Sequence, residues 1–248
     1  MAINETYLSI LGALLDRRGE ELVGSNWTRT MCLSYPDLLA PAGAISRLFG
    51  EDILAGLEVR KDSDQVKKYH GLPDSFGPVY ETESLFEGLR IKPDFIDVKK
   101  LRGPEKIVDL NERLPSEYHG QYDLVIDTGT MEHCFNVGNA FRSMCELSKL
   151  GGHIISLSPM TMINHGFWNF SPTAYFDGFL QNGFEVNFLQ GMFQSETGIK
   201  AIDFSSGPTE RTMAPSEVTL ICIAKKIKEQ EFKWPVQSKY RDLLSSGT

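Results

Sequence analysis

The sequence predicts a doubly wound α/β fold, a mostly parallel sheet covered by helices on both faces, and three observations carry that prediction. Runs such as "YDLVID" (122–127), an unbroken buried run, and "HIISLSP" (153–159) read as strands buried on both faces rather than one. Stretches with apolar residues at helical spacing alternate with them through the middle of the chain. Finally, 248 residues with 41% hydrophobic content suffice for one sizeable core and are too few for two comfortable domains.

Residues 5–23 place Tyr7, Leu8, Ile10, Leu11, Leu14, Leu15 and Leu22 on one helical face, with Asp16, Arg17, Arg18 and Glu20 mostly opposite. "WTRTMCLSYPDLL" (27–39) reads as a buried strand stopped by Pro36, and 44–61 as a helix with a weak point at Gly50. A loop rich in Gly, Pro and Asp follows to about residue 80. "ETESLFEGLRI" (81–91) reads as a short helix, "DFIDV" (94–98) as a strand, and "EKIVDL" (105–110) as another. After "YDLVID", Val137, Ala140, Phe141, Met144 and Leu147 mark a helix over 137–150 that Gly151-Gly152 should end. Ser171-Pro172 has the form of an N-cap followed by a first-turn proline, opening a helix that stops at Asn182-Gly183. "FEVNFLQ" (184–190) and "EVTLICIAKKI" (217–227) are strands separated by a long polar loop, 191–216. The resulting division is an N-terminal helix (1–26), a core domain (27–227) with 191–216 as an insertion on the substrate side, and a tail (228–248).

A net charge of −8 disfavours nucleic acid or an anionic membrane surface as partner, since both require a clustered basic face. A small acceptor molecule fits better, and the reading leaves room for a homodimer. With no apolar run near the length of a membrane span and charges mixed into the N-terminus, a soluble, cytoplasmic protein is expected. Cys32, Cys134, Cys145 and Cys222 lie far apart without a CxxC pair, which suggests buried reduced thiols rather than a zinc knuckle or disulfides. There is no GxSxG elbow, GxxxxGK[ST] loop or GxGxxG turn, so hydrolase, kinase and standard dehydrogenase readings drop.

In doubly wound sheets ligands bind beyond the C-terminal strand ends. Asp97, Asp109 and Asp127 each end a predicted strand, so the topology expects three carboxylates along one crevice. Just beyond the last of them come Glu132 and His133, and His165 lies in the loop after the next strand, on the same edge, with Phe167, Trp168 and Phe170 able to exclude water. A convergent His133 and His165 pair is the best acid/base candidate. Each has a plainer reading: His133 caps or packs on the next helix, and His165 is a solvated loop residue. The pair could be half of a metal site, but no third ligand stands at a supporting spacing, so no metal is expected.

These stretches resemble class I S-adenosylmethionine-dependent methyltransferases: "YDLVIDTGTMEHCFN … LGGHIISLSP" is similar to the family's strand-four to strand-five signature, and the likeness extends over about residues 27–227. It also resembles a subgroup of bacterial small-molecule methyltransferases, some acting in capsular-polysaccharide modification. The resemblance implies a Rossmann-like seven-stranded sheet whose last strand is antiparallel, with S-adenosyl-L-methionine as cofactor and S-adenosyl-L-homocysteine as product. It implies that Asp97 binds the ribose hydroxyls, and that Asp109 and Leu110 contact adenine. Asp127, Thr128 and Gly129 would receive the cofactor's ammonium or present backbone groups to it, and Glu132, Phe167 and Trp168 would face the acceptor. Asp97 could instead be a solvated strand-end acid, and Asp109 a turn cap. One departure is plain: where the family has an acidic-Gly-x-Gly-x-Gly loop, this chain has Ser34, Tyr35, Pro36 and Asp37. Either Ser34 and Tyr35 hold the cofactor through a non-standard loop, or the site has decayed. The expected function is methyl transfer to an oxygen or nitrogen of a small polar molecule with a His general base. The competing readings are a non-catalytic scaffold of the same fold and an enzyme using another nucleotide.

Overall fold

The computed structural model describes residues 2–17, 28–207 and 210–245. In chain order, β1 (Ala2–Asn4) leads into α1 (Glu5–Arg17), followed by β2 (Thr28–Cys32), β3 (Asp37–Leu39), α2 (Ala42–Phe49), α3 (Glu51–Ala55), α4 (Ser63–Tyr69) and α5 (Thr82–Gly88). Then come β4 (Ile91–Asp97), β5 (Lys106–Ile107), β6 (Tyr122–Asp127), α6 (Val137–Leu147), β7 (Ser148–Pro159) and α7 (Pro172–Gln181). The chain finishes with β8 (Phe184–Ser195), β9 (Gly198–Asp203), β10 (Thr219–Lys226) and α8 (Ser238–Ser245).

Eight strands form one sheet in the order β5-β4-β2-β6-β7-β10-β8-β9. The first five run parallel, while β10 is antiparallel to both β7 and β8. Counted along the sheet, the seven expected strands lie in the order 3-2-1-4-5-7-6 with the last one reversed, and β9 adds an edge. This is the doubly wound architecture expected, with its order reversing between β2 and β6. Neighbouring residues in the central strands supply opposite faces: Met31, Leu33 and Val125 pack with Ala140 and Met144 of α6 and Tyr175 and Phe179 of α7. Cys32, Leu124 and Ile126 pack with Tyr7, Leu8 and Leu11 of α1 and Leu85 and Phe86 of α5. Helix α1 thus belongs to the body of the fold; residues 18–27, including Leu22 of the expected helix, lie outside the described residues.

Several boundaries differ from expectation, each for a local reason. The strand predicted over 27–39 ends at Cys32; the chain turns at Ser34, and 37–39 pair instead with 2–4 in a separate parallel ribbon. Gly50, with φ +97°, divides the helix predicted over 44–61 into α2 and α3. The expected loop before residue 80 contains α4. It is tied down by buried Arg60, whose guanidinium holds Asp62 at 2.9 Å and also Asp37, and this pairing keeps the Asp62 carboxyl well below its ordinary range. Only Lys106–Ile107 of the predicted 105–110 strand pairs. Gly151-Gly152 does not cap α6, which stops at Leu147. The pair lies in an irregularity of β7 opposite Tyr122 and Leu124, where a Cβ on Gly152 would come within 2.8 Å of the Tyr122 carbonyl. Much of the expected loop 191–216 is a hairpin, because β8 runs on to Ser195 and β9 folds back on it; the polar alternation "GIKAID" is that of an exposed edge strand.

Candidate active site

Register places three strand ends level with one another. Cys32 pairs with Phe95 of β4 and with Ile126 of β6, so Ser34, Asp97 and Thr128 each follow one of these paired residues by two positions. This is the point where the strand order reverses, the position a doubly wound sheet reserves for ligands. Ser34 is buried and has φ +153°, a torsion that side chains rarely adopt. The chain therefore supplies a glycine-type turn at the place where the expected glycine loop is missing from the sequence. Thr130 Oγ1 braces it, bonding to the Leu33 carbonyl and lying 3.3 Å from Ser34 Oγ. Relief of about 1–3 kcal/mol of backbone strain, less about 0.5–1 kcal/mol for the freer unfolded chain, predicts that Ser34→Gly stabilises the protein by about 1 kcal/mol. Urea denaturation measures this, and a destabilised variant would mean that the hydroxyl contact outweighs the torsion.

Asp97 ends β4 half-buried, and among the described residues its carboxylate has one long contact, 3.4 Å from the Lys99 amide to Oδ1, which leaves it largely uncommitted. Asp109 takes the plainer of its two readings: it is exposed, and Oδ1 accepts from the Asn111 amide at 2.8 Å and from Asn111 Nδ2 at 2.9 Å, a closed turn. Leu110 turns into the core, its carbonyl accepting from Asn139 Nδ2 at 3.0 Å. Tyr35, expected at the cofactor, also turns away. It stacks 4.6 Å from Phe95 in the opposite core cluster and donates to Glu81 Oε2 at 3.0 Å, with burial raising its phenol's pKa.

Asp127 lies beneath the edge and is not part of it. It is fully buried: Oδ1 accepts from the Thr130 amide at 2.7 Å and Oδ2 from Ser156 Oγ at 3.0 Å. Burial pushes its pKa up and these donors oppose the rise. Buried, with both oxygens engaged, Asp127 fixes the turn that carries the following residues. Thr128 is buried in that turn, and Gly129 makes it with φ +100°, where a Cβ would meet Glu132 Oε1 at 2.8 Å.

That turn delivers Glu132 and His133, and the loop after β7 delivers His165. Glu132 is 1% exposed, so it cannot face an acceptor freely as expected; burial, and after it the Asp127 charge, push its carboxyl up to about 8. Its Oε1 is 3.4 Å from His165 Nε2, while Oε2 has no hydrogen-bond partner among the described residues. The His133 ring lies 5.6 Å from that of His165, and its pKa is lowered by burial and then by His165. Both imidazoles are exposed. The loop is docked by the Phe167 amide on the Glu132 carbonyl at 2.8 Å and by Trp168 Nε1 on the Cys134 carbonyl at 3.1 Å. Phe167 and Trp168 then form an exposed ledge with Phe135, whereas Phe170 is in the core. Phe135 escaped the sequence reading although it follows the Glu-His pair by two residues. Gly166 escaped it too: a Cβ there would strike the Glu132 carbonyl at 2.8 Å, a closeness visible only in three dimensions.

No family model matches the chain, and no curated protein does. Among solved structures it is similar to the Burkholderia thailandensis 1,6-didemethyltoxoflavin-N1-methyltransferase with bound 1,6-didemethyltoxoflavin and S-adenosylhomocysteine, at 9% identity and a TM-score of 0.46, over 89% of this chain and 78% of that one. It is also similar to a SAM-dependent methyltransferase from Archaeoglobus fulgidus, at 15% identity and a TM-score of 0.44, over 88% of this chain and 94% of that one. These are distant likenesses, and the fold stands on the strand order and directions given above.

Proposed function

We propose that the protein transfers the methyl group of S-adenosyl-L-methionine to an oxygen or nitrogen of a small polar acceptor, releasing S-adenosyl-L-homocysteine. The observation that carries this reading is the alignment of Ser34, Asp97 and Thr128 on three adjacent strand ends at the reversal of the sheet. A largely uncommitted carboxylate beside a glycine-type turn fits a ribose diol next to a backbone approached closely, so Asp97, Ser34 and Thr128 are the residues that would hold the cofactor. When bound, it supplies an electrophilic methyl; the chain's own task is to align the acceptor and manage its proton. His165 takes that proton in this reading. It is exposed toward the acceptor side and backed by the buried Glu132 carboxyl, which orients the ring. Phe167 and Trp168 line the acceptor's approach. The charge of −8 suits a small acceptor over a polyanion, and a cytoplasmic setting and homodimer belong to the same proposal.

One observation favours the scaffold alternative: Tyr35, Asp109, Leu110 and Asp127 all have structural engagements of their own. Calorimetric titration with S-adenosylhomocysteine, with NAD as control, decides between the readings. Micromolar binding of the former supports methyl transfer, no binding of either supports a scaffold, and selective NAD binding supports a different nucleotide enzyme. With a competent acceptor, His165→Ala is expected to lower kcat by about 10²-fold. Wild-type turnover in that variant would remove His165 from the chemistry.

A further inference from the structure

Glu132, His133 and His165 come together from two separate loops, and each brings one ligand atom within 4.8 Å of the other two, the one such cluster among the described residues. We infer that Glu132, His133 and His165 form a binding site for a divalent transition-metal ion, of the zinc, cobalt(II), iron(II) or manganese(II) class.

Two imidazoles and a carboxylate are a ligand set these ions accept while keeping positions open. The distance between Glu132 Oε1 and His165 Nε2, 3.4 Å, matches the separation of two ligands each about 2.1 Å from one tetrahedral ion. His133 is exposed, so the shift of about an ångström that it needs can come from its own side-chain torsions.

The carboxylate is the second, independent observation. A buried carboxylate is costly unless a positive charge or donors pair with it, and Oε2 has no hydrogen-bond partner among the described residues. Room for it is made by Gly129 and Gly166, where a Cβ would lie 2.8 Å from Glu132 Oε1 and from the Glu132 carbonyl respectively. Two backbones are thus kept bare around an acid whose Oε1 meets His165 and whose Oε2 has no hydrogen-bond partner among the described residues. An acceptor bound to the ion through oxygen would lose its proton more readily. His165 Nε2 cannot hold an ion and take a proton at once, so in the loaded protein the ion would lower the acceptor's pKa and the proton would leave to water. This use of the site rests on the methyl-transfer reading; occupancy of the site does not.

The test is titration of the full chain, stripped with chelator, with Co²⁺ followed by visible absorption and with Zn²⁺ by calorimetry. One equivalent should bind with micromolar or tighter affinity, weakened at least tenfold in each of His133→Ala, His165→Ala and Glu132→Gln. Glu132→Gln keeps the side chain's shape, and the two histidines are exposed, so circular dichroism should show all three variants folded. Absence of saturable binding up to about 1 mM, or one-equivalent binding unchanged in the three folded variants, would overturn the site. S-adenosylhomocysteine affinity is measured in parallel. Co²⁺ binding without it retains the metal site and removes methyl transfer, and the reverse result removes the metal site alone.

Discussion

Asp97→Ala is expected to weaken S-adenosylhomocysteine binding by about 10²-fold or more, while Asp109→Ala changes it less than about threefold. Both acids end predicted strands on the same edge, and the difference follows from what each already does. Asp97 has one 3.4 Å amide contact, so its carboxylate can accept from both hydroxyls of a ribose. Two charge-assisted hydrogen bonds, at about 1.5–3 kcal/mol each, give about 3 kcal/mol as the lower bound of the loss. Asp109 closes its own turn onto Asn111 with two bonds to Oδ1, which fix the carboxylate in that turn and leave a ligand Oδ2 alone. Asp97→Asn sets an intermediate point, since it keeps one acceptor oxygen and loses the charge; about tenfold weakening is expected. Equal losses at 97 and 109 would return Asp109 to an adenine-contacting role, and an unchanged affinity in Asp97→Ala would sink the ribose assignment.

The same contrast shows which parts of the molecule a one-dimensional reading can reach. Strand β6 was legible to the residue because "YDLVID" carries the apolar run Leu124-Val125-Ile126 between two acids, and the strand's burial on both faces is what selects that run. The reversal of the sheet, and therefore the edge on which ligands bind, follows from the alternation of elements. What the sequence could not reveal is where a side chain points once its strand has ended. Asp97 and Asp127 both terminate strands, yet the chain after Asp127 folds back so that the Thr130 amide joins Ser156 Oγ on a buried carboxylate, while the chain after Asp97 runs on into solvent. Ser34 is the converse case. Composition alone argues against a close-approach turn there, but burial and Thr130 hold the serine in a glycine-type torsion. The third member of the Glu132, His133 and His165 cluster was equally hidden, because its carboxylate is adjacent in sequence to one histidine and reaches the other only through the docking of the loop after β7.

Asp127→Ala is expected to destabilise the protein by about 3–5 kcal/mol, whereas Asp127→Asn costs about 1 kcal/mol near pH 5. Alanine removes the acceptor for the Thr130 amide and for Ser156 Oγ, and orphaned buried donors cost about 1–3 kcal/mol each before relaxation. Asparagine preserves the shape and one acceptor oxygen for the Thr130 amide. Its amide nitrogen can donate to Ser156 Oγ, which already exchanges a hydrogen bond with Tyr175 at 2.9 Å and can turn its proton that way. The neutral side chain also removes the negative charge that, after burial, raises Glu132 to about 8. A carboxyl held above its unfolded value favours the folded chain fully below that value and loses this advantage as pH rises through the folded one, so metal-free wild type should shed stability between about pH 4.5 and 8. With its Glu132 closer to ordinary, Asp127→Asn should shed less, and its stability relative to wild type should improve as pH rises from about 5 to 9. Urea denaturation of both variants across that range, in chelator, reads the two effects separately. Equal destabilisation by Ala and Asn would show that the charge rather than the acceptor geometry holds the turn, and a pH-independent difference for Asn would show that Asp127 does not act on Glu132.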